Sequence, residues 1–346
     1  ARLKGTVAST GDLDVFLLGS LSAGDRVLVD ALAVSTLDVS TALFDGDGKL
    51  VFDNDDKSDQ NLDAHIDFVV RHGSDHYYLV ITRSAFASSQ RTTGAYTAKI
   101  EIQPGRNVPA PVPQTLFLKF DGGTFDSPVL GQFDLAPFDA SDIDRTYSGK
   151  TEQIKQRIVE VMRQNYERFH VTVISSDDFT PGPNDEFSTV FFGGFNDTAF
   201  GISENVDLYN AEFCDDAIIF TESFSPFLFS STPTADQMGV AIGNVAAHEA
   251  GHLLGLNHVD DDLDLMDDRS PADSFLLDQE FMESPLSTDI MPIGTQDGVL
   301  LLDEIVGPVD AQSARLIVQG KQMVPQKPGA LGGVEIVRRQ SRPGRH

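Results

Sequence analysis

In the first hundred residues apolar positions come in short runs, several alternating with polar ones, and Gly/Asp-rich turns close them. The runs lie at 14–18, 26–32, 40–44, 49–52, 65–70, 77–81 and 95–102, with turn signals at 22–25, 45–48 and 71–75. Short runs of this kind between turns predict strands, and seven in succession predict an all-β sandwich. Residues 104–113 carry four prolines and read as an extended linker. The pattern then changes. A strand at 115–120 precedes a helix over 151–169, with Ile154, Ile158, Val161, Met162 and Phe169 on or near one face. Strands at 171–174, 189–192, 198–203 and 217–220 follow, and then a small, apolar, proline-free stretch from Met238, as a buried helix requires. Leu300, Leu301, Leu302, Ile305 and Val306 mark a closing helix at 296–307. This order predicts an α/β (α+β) domain with an active-site helix. The expected organisation is a β-sandwich at 1–104, a linker at 105–114, an α/β domain at 115–310 and a tail at 311–346.

Charge narrows the partners. The 346 residues carry a formal charge of −28, which argues against nucleic acid and anionic membrane surfaces. No apolar run reaches the length of a membrane span. The lone cysteine, Cys214, excludes an intrachain disulfide and reads as a small, partly buried thiol. Ala1 reads as a processed start. The tail has seven Arg or Lys against one Glu, and two short apolar stretches at 316–318 and 334–337. It is a candidate for docking on an acidic surface of its own or a neighbouring chain, hence for self-association.

Three of the eight histidines fall within eleven residues: His248, His252 and His258, in H-E-x-x-H-x-x-G-x-x-H. A four-residue spacing on a helix puts the imidazoles of His248 and His252 on one face, where both can ligate one Zn2+ ion. Gly255 ends the helix, since glycine accepts the left-handed conformation. The chain can then turn and bring His258 back as a third nitrogen. Three protein ligands leave the fourth position open, as catalysis by a bound water requires. Glu249, beside the first ligand, is placed to act as general base and acid. Acidic pairs in the first domain, Asp12 with Asp14 and Asp53 with Asp55, are hard oxygen donors and hence calcium candidates. An EF-hand is excluded there by Lys57 and Ala64 at ligand positions.

The motif resembles the signature of metzincin zinc endopeptidases. Met266, eight residues beyond His258, resembles their methionine turn at matrixin-like spacing, with Met291 as runner-up. That resemblance implies a mostly parallel, twisted sheet and peptide or protein substrates. It also implies an edge strand at 198–203, including Phe200, Gly201 and Ile202, that holds an extended substrate. Residues 259–261 after His258 match no subfamily tag, and the segment between Met266 and the closing helix is longer than in matrixins. The first hundred residues resemble the bacterial pre-peptidase C-terminal-like domain, through 11–16, 22–25, 42–48 and 94–96. This implies an accessory binding or secretion role. The expectation is a secreted bacterial zinc endopeptidase. The competing expectation is a non-enzymatic extracellular binding or assembly protein, working through its β-module and basic tail with the peptidase domain as scaffold.

Overall fold

A computed structural model describes residues 1–309 except 59, 128–130, 183–184 and 270. The basic tail, with its candidate strands at 316–318 and 334–337, lies outside the described residues. The described chain is β-rich, with several sheets and few helices.

The first hundred residues form eight strands: β1 (Arg2–Val7), β2 (Asp14–Leu21), β3 (Arg26–Ala33), β4 (Val39–Phe44), β5 (Leu50–Asn54), β6 (Ala64–Val69), β7 (Ser74–Arg83) and β8 (Gly94–Gln103). They pair antiparallel in two four-stranded sheets, ordered β1-β8-β3-β6 and β2-β7-β4-β5. Alternation decides which face is inside. Val27, Val29 and Ala31 of β3 are buried, and they share one apolar cluster with Ile66, Phe68, Tyr96 and Ile100 of the same sheet and Leu43, Leu79 and Ile81 of the other. Each such Val or Phe contributes about 1.5–3 kcal/mol on burial. Strand β1 has no counterpart among the expected runs. Its polar sequence takes strand form through its pairing with β8.

The second unit holds β9 (Gln114–Lys119), β10 (Gly123–Ser127), β11 (Gly131–Leu135), α1 (Ala140–Ile143), α2 (Thr151–Asn165), β12 (Val171–Ser175), β13 (Ser188–Phe192), β14 (Gly201–Ser203), β15 (Asp216–Ile219), α3 (Ala235–Leu253), β16 (Glu283–Pro285), β17 (Thr295–Asp297) and α4 (Gly298–Ile305). One five-stranded sheet runs β12-β9-β13-β15-β14. Its first four strands are parallel, and β14 closes the edge antiparallel to β15. Strand β13 is buried throughout, as a central parallel strand must be. The hairpins β10-β11 and β16-β17 were not expected from the apolar pattern. Helix α2 ends at Asn165 rather than 169, and α4 is shorter than expected because 295–297 pair in β17 and Asp297 caps the helix by accepting from Leu300 N–H.

Helix α3 begins with a capping box, in which Thr234 and Gln237 satisfy each other's backbone N–H groups. It packs closely on α2. A Cβ at Gly239 would lie 2.6 Å from Arg157 Cβ, and one at Gly243 would lie 2.8 Å from Val161 Cβ. The helix is therefore rich in small residues because its neighbours leave no room.

The two units meet over a mixed interface. Lys49 bonds Asp297 at 2.7 Å and Glu283 at 2.8 Å. His72 bridges Glu304 at 2.7 Å and Asp45 at 3.4 Å. Tyr209, in the loop between β14 and β15, packs its ring against Phe52 and Phe68 under the Arg71 guanidinium, and its hydroxyl donates to Val51 O. The proline-rich stretch is itself pinned. Arg106 N–H donates to Gly24 O and Val112 N–H to Ile305 O.

Candidate active site

Helix α3 carries His248 and His252 one turn apart. Their Nδ1 atoms point outward to backbone carbonyls, His248 to Leu265 O at 2.8 Å and His252 to Leu256 O at 2.7 Å. A carbonyl only accepts, so each Nδ1 carries the proton and each Nε2 a lone pair. His258 Nδ1 lies 3.4 Å from an Asp268 oxygen. The three Nε2 atoms then face one another at 3.0, 3.1 and 3.2 Å. Lone pairs this close repel unless a cation lies between them. Tetrahedral zinc with nitrogens at about 2.0–2.1 Å sets them about 3.3 Å apart. The donor set and its spacing fit zinc.

The turn after α3 brings His258 back. Gly255 has φ +92°, and a Cβ there would lie 2.7 Å from Asp207 O and 2.8 Å from Tyr209 N. Asn257, the residue before His258, is clamped on both backbone groups by the buried Gln296: Asn257 N–H donates to Gln296 Oε1 and Gln296 Nε2 donates to Asn257 O, both at 2.7 Å. The Asn257 side chain donates to Asp53 Oδ1 at 3.1 Å. His258 O accepts from Ser287 N–H, and Val259 N–H donates to Met266 O. Met266 is fully buried, and its sulfur would lie 2.6 Å from a Cβ at Gly251, one residue before His252. Met291 belongs to a separate cluster with Phe44, Leu50 and Leu286.

Glu249 is 4% exposed. Its carboxylate accepts from the Ser203 backbone N–H, and burial pushes its pKa up to about 8. Its Oε2 has no partner among the described residues. A Cβ at Gly201 would lie 2.7 Å from Glu249 Oε1, so the strand edge needs glycine there for the carboxylate to fit.

The family model for matrixins matches residues 25–278. The chain belongs to the matrixin family. Membership carries the coarse assignment of a zinc-dependent peptidase acting on peptide or protein substrates. No curated protein matches. Among solved structures, this matrixin is similar to the periplasmic g-type lysozyme inhibitor PliG of Aeromonas hydrophila (16% identity, 30% of this chain and 85% of that one, TM-score 0.24). It is also similar to the pre-peptidase C-terminal domain of a Bacillus anthracis collagenase (12%, 29% and 88%, 0.23) and to the archaemetzincin of Methanopyrus kandleri (14%, 48% and 86%, 0.26).

Several expected residues of the matrixin chain fall elsewhere than anticipated. Only 201–203 of the expected edge strand are paired, so Gly201 and Ile202 lie in β14 and Phe200 just before it. Phe200 O is taken by Phe220 N–H, and its ring packs on Phe224 and Phe275. The four calcium candidates do not form one site. Asp12 accepts from Ala8 N–H, Asp14 from the Tyr96 hydroxyl, Asp53 from Asn257 and Asp55 from Ser84 Oγ. Among the described residues, the histidine triad alone brings three or more His, Cys, Asp or Glu ligand atoms together. Cys214 is exposed rather than partly buried. Among the described residues no helix is long and apolar enough to cross a membrane. Asp268, Gln296 and the contact of Asp53 with Asn257 had no sequence signal, because each acts across a fold-dependent distance.

Proposed function

We propose that this chain is a secreted endopeptidase in which His248, His252 and His258 hold zinc and Glu249 moves the protons. The observation that carries the reading is the convergence of three Nε2 lone pairs beside a buried carboxylate with one unpartnered oxygen. When bound, zinc supplies a Lewis acid that brings the pKa of a water toward neutrality and polarises the scissile carbonyl. Glu249, which the positive charge of a bound metal beside it would keep ionised against the effect of burial, accepts the proton of the attacking water at Oε2 while Ser203 N–H holds its other oxygen, and later returns the proton to the leaving nitrogen. The edge of β14 that does not pair with β15, at Gly201 and Ile202, would receive an extended peptide as an added strand. Met266 serves as the apolar floor beneath the helix-borne ligands. The first hundred residues would act as a pre-peptidase C-terminal-like accessory domain, and that resemblance to modules of secreted bacterial proteases is the basis for the extracellular assignment.

The test is Glu249→Gln, assayed on casein with zinc content measured in parallel. Zinc should remain stoichiometric while cleavage falls by about 100-fold or more. Full activity in the variant would remove Glu249 from the mechanism. A zinc-loaded parent that cleaves no substrate would favour a binding or scaffold protein instead.

A further inference from the structure

Asp53 lies on β5, at the face of the first unit that meets the second. Its surroundings are apolar: Phe52, Leu208, Tyr209, Leu301 and Ile305 wall the same small cavity. A carboxylate in such a place is costly unless hydrogen-bonded. The side chain it meets is that of Asn257, through a 3.1 Å bond spanning 204 positions of sequence. Asn257 is 5% exposed, and Gln296 holds both of its backbone polar groups. Three hydrogen bonds therefore converge on the residue that precedes His258. Two come from β17 and one from the first unit. A second contact runs in parallel. Tyr209, packed against Phe52 and Phe68, belongs to the loop whose backbone crowds Gly255, and Asp207 of that loop donates its N–H to His252 O. The loop that presents the third imidazole is thus braced against the first unit on two sides.

We propose that Asp53 is a positioning residue for the third zinc ligand, so that the N-terminal β-unit completes the metal site rather than standing beside it. The inference rests on the triad being a zinc site. Asp53 touches neither metal nor substrate. It acts by fixing the Asn257 side chain, which together with the Gln296 clamp sets the backbone from which His258 projects. Partners bonded directly to a ligand are worth about 10–100-fold in metal affinity, and Asp53, acting through Asn257, belongs at the lower end of that range.

The test compares Asp53→Asn, which keeps an acceptor for Asn257, with Asp53→Leu, which fills the apolar site without one. Zinc affinity is read on the full chain by chelator competition, and ligand geometry by the visible absorption of the Co(II)-substituted protein. D53L should bind zinc about tenfold more weakly and shift the Co(II) bands, while D53N stays close to the parent. Should D53L fail to fold, the exchange reads the same contact: Asn257→Asp alone should weaken zinc binding, and D53N/N257D, which reverses donor and acceptor, should restore it. Unchanged zinc affinity in D53L, equal losses in D53N and D53L, or no recovery in the exchange pair would overturn the positioning role and leave the zinc reading standing. A parent chain that binds no zinc would overturn both.

Discussion

His248 and His252 stand one turn apart on a nineteen-residue helix, whereas His258 stands on a return loop without regular structure. The first two are set by local geometry, because any helix holds side chains four apart on one face. The orientation of His252 is also local, fixed by Leu256 O only four residues away, while that of His248 is fixed by Leu265 O across 17 positions. The third depends on distant parts of the chain: Asp268 at its Nδ1, Gln296 and Asp53 on the residue before it, and the 207–209 loop against Gly255. A single metal site thus joins a locally encoded half to a half assembled by tertiary structure. Disturbing the loop should cost metal affinity as well as stability. Disturbing the helix far from the metal should cost stability alone.

The largest effect is expected at the junction of the two halves. Gly255→Ala places a Cβ at φ +92° and within 2.8 Å of backbone atoms of Asp207 and Tyr209, which cannot rotate away. The left-handed penalty and the clash together should cost about 2–4 kcal/mol. Thermal unfolding reports the stability, and chelator competition reports zinc. A variant that is destabilised yet binds zinc as tightly as the parent would show that the loop does not set the third ligand.

The same division explains what the sequence reveals. Val27, Val29 and Ala31 alternate plainly, so β3 can be read directly, and the histidine spacing can be read for the same reason: both depend on neighbours in sequence. Strand β1 has too few apolar residues to be read and owes its form to β8 beside it, whereas β14 falls within the strand expected at 198–203, its three-residue extent set by its pairing with β15. Asp53 illustrates the limit most clearly. By composition it is an acidic turn residue with Asp55 nearby, and calcium is a natural guess. Its half-buried position against Asn257 depends on how the two units pack, which no local pattern encodes.

A smaller effect is expected at the interface that braces the loop. His72 sits between Asp45 and Glu304, and those two carboxylates raise its pKa from 6.5 to about 9. The folded value exceeds the unfolded one, so the stabilisation is fully present below about pH 6.5 and is lost as pH rises through about 9. The imidazole is 30% exposed, so solvent screening limits the contribution to about 1–2 kcal/mol. Urea unfolding at pH 6 and pH 9.5 should show the parent weakening by that amount beyond His72→Gln. Parallel pH profiles in the two proteins would mean that the bridge contributes nothing.

The smallest effect belongs to the start of the metal-bearing helix. Thr234 caps α3 by accepting from Gln237 N–H, and Gln237 answers at the Thr234 backbone. Thr234→Ala removes one half of that box and should cost about 1 kcal/mol. His248 lies fourteen residues further on, about 21 Å along the helix. The intervening turns are held by α2 through Gly239 and Gly243, so fraying at the cap should not reach the metal. Zinc affinity should therefore match the parent while the thermal midpoint falls. If zinc binding weakened in step with stability, the helix would be transmitting strain along its length. The two halves of the site would then have to be treated as one cooperative unit, not as a rigid helix and a braced loop.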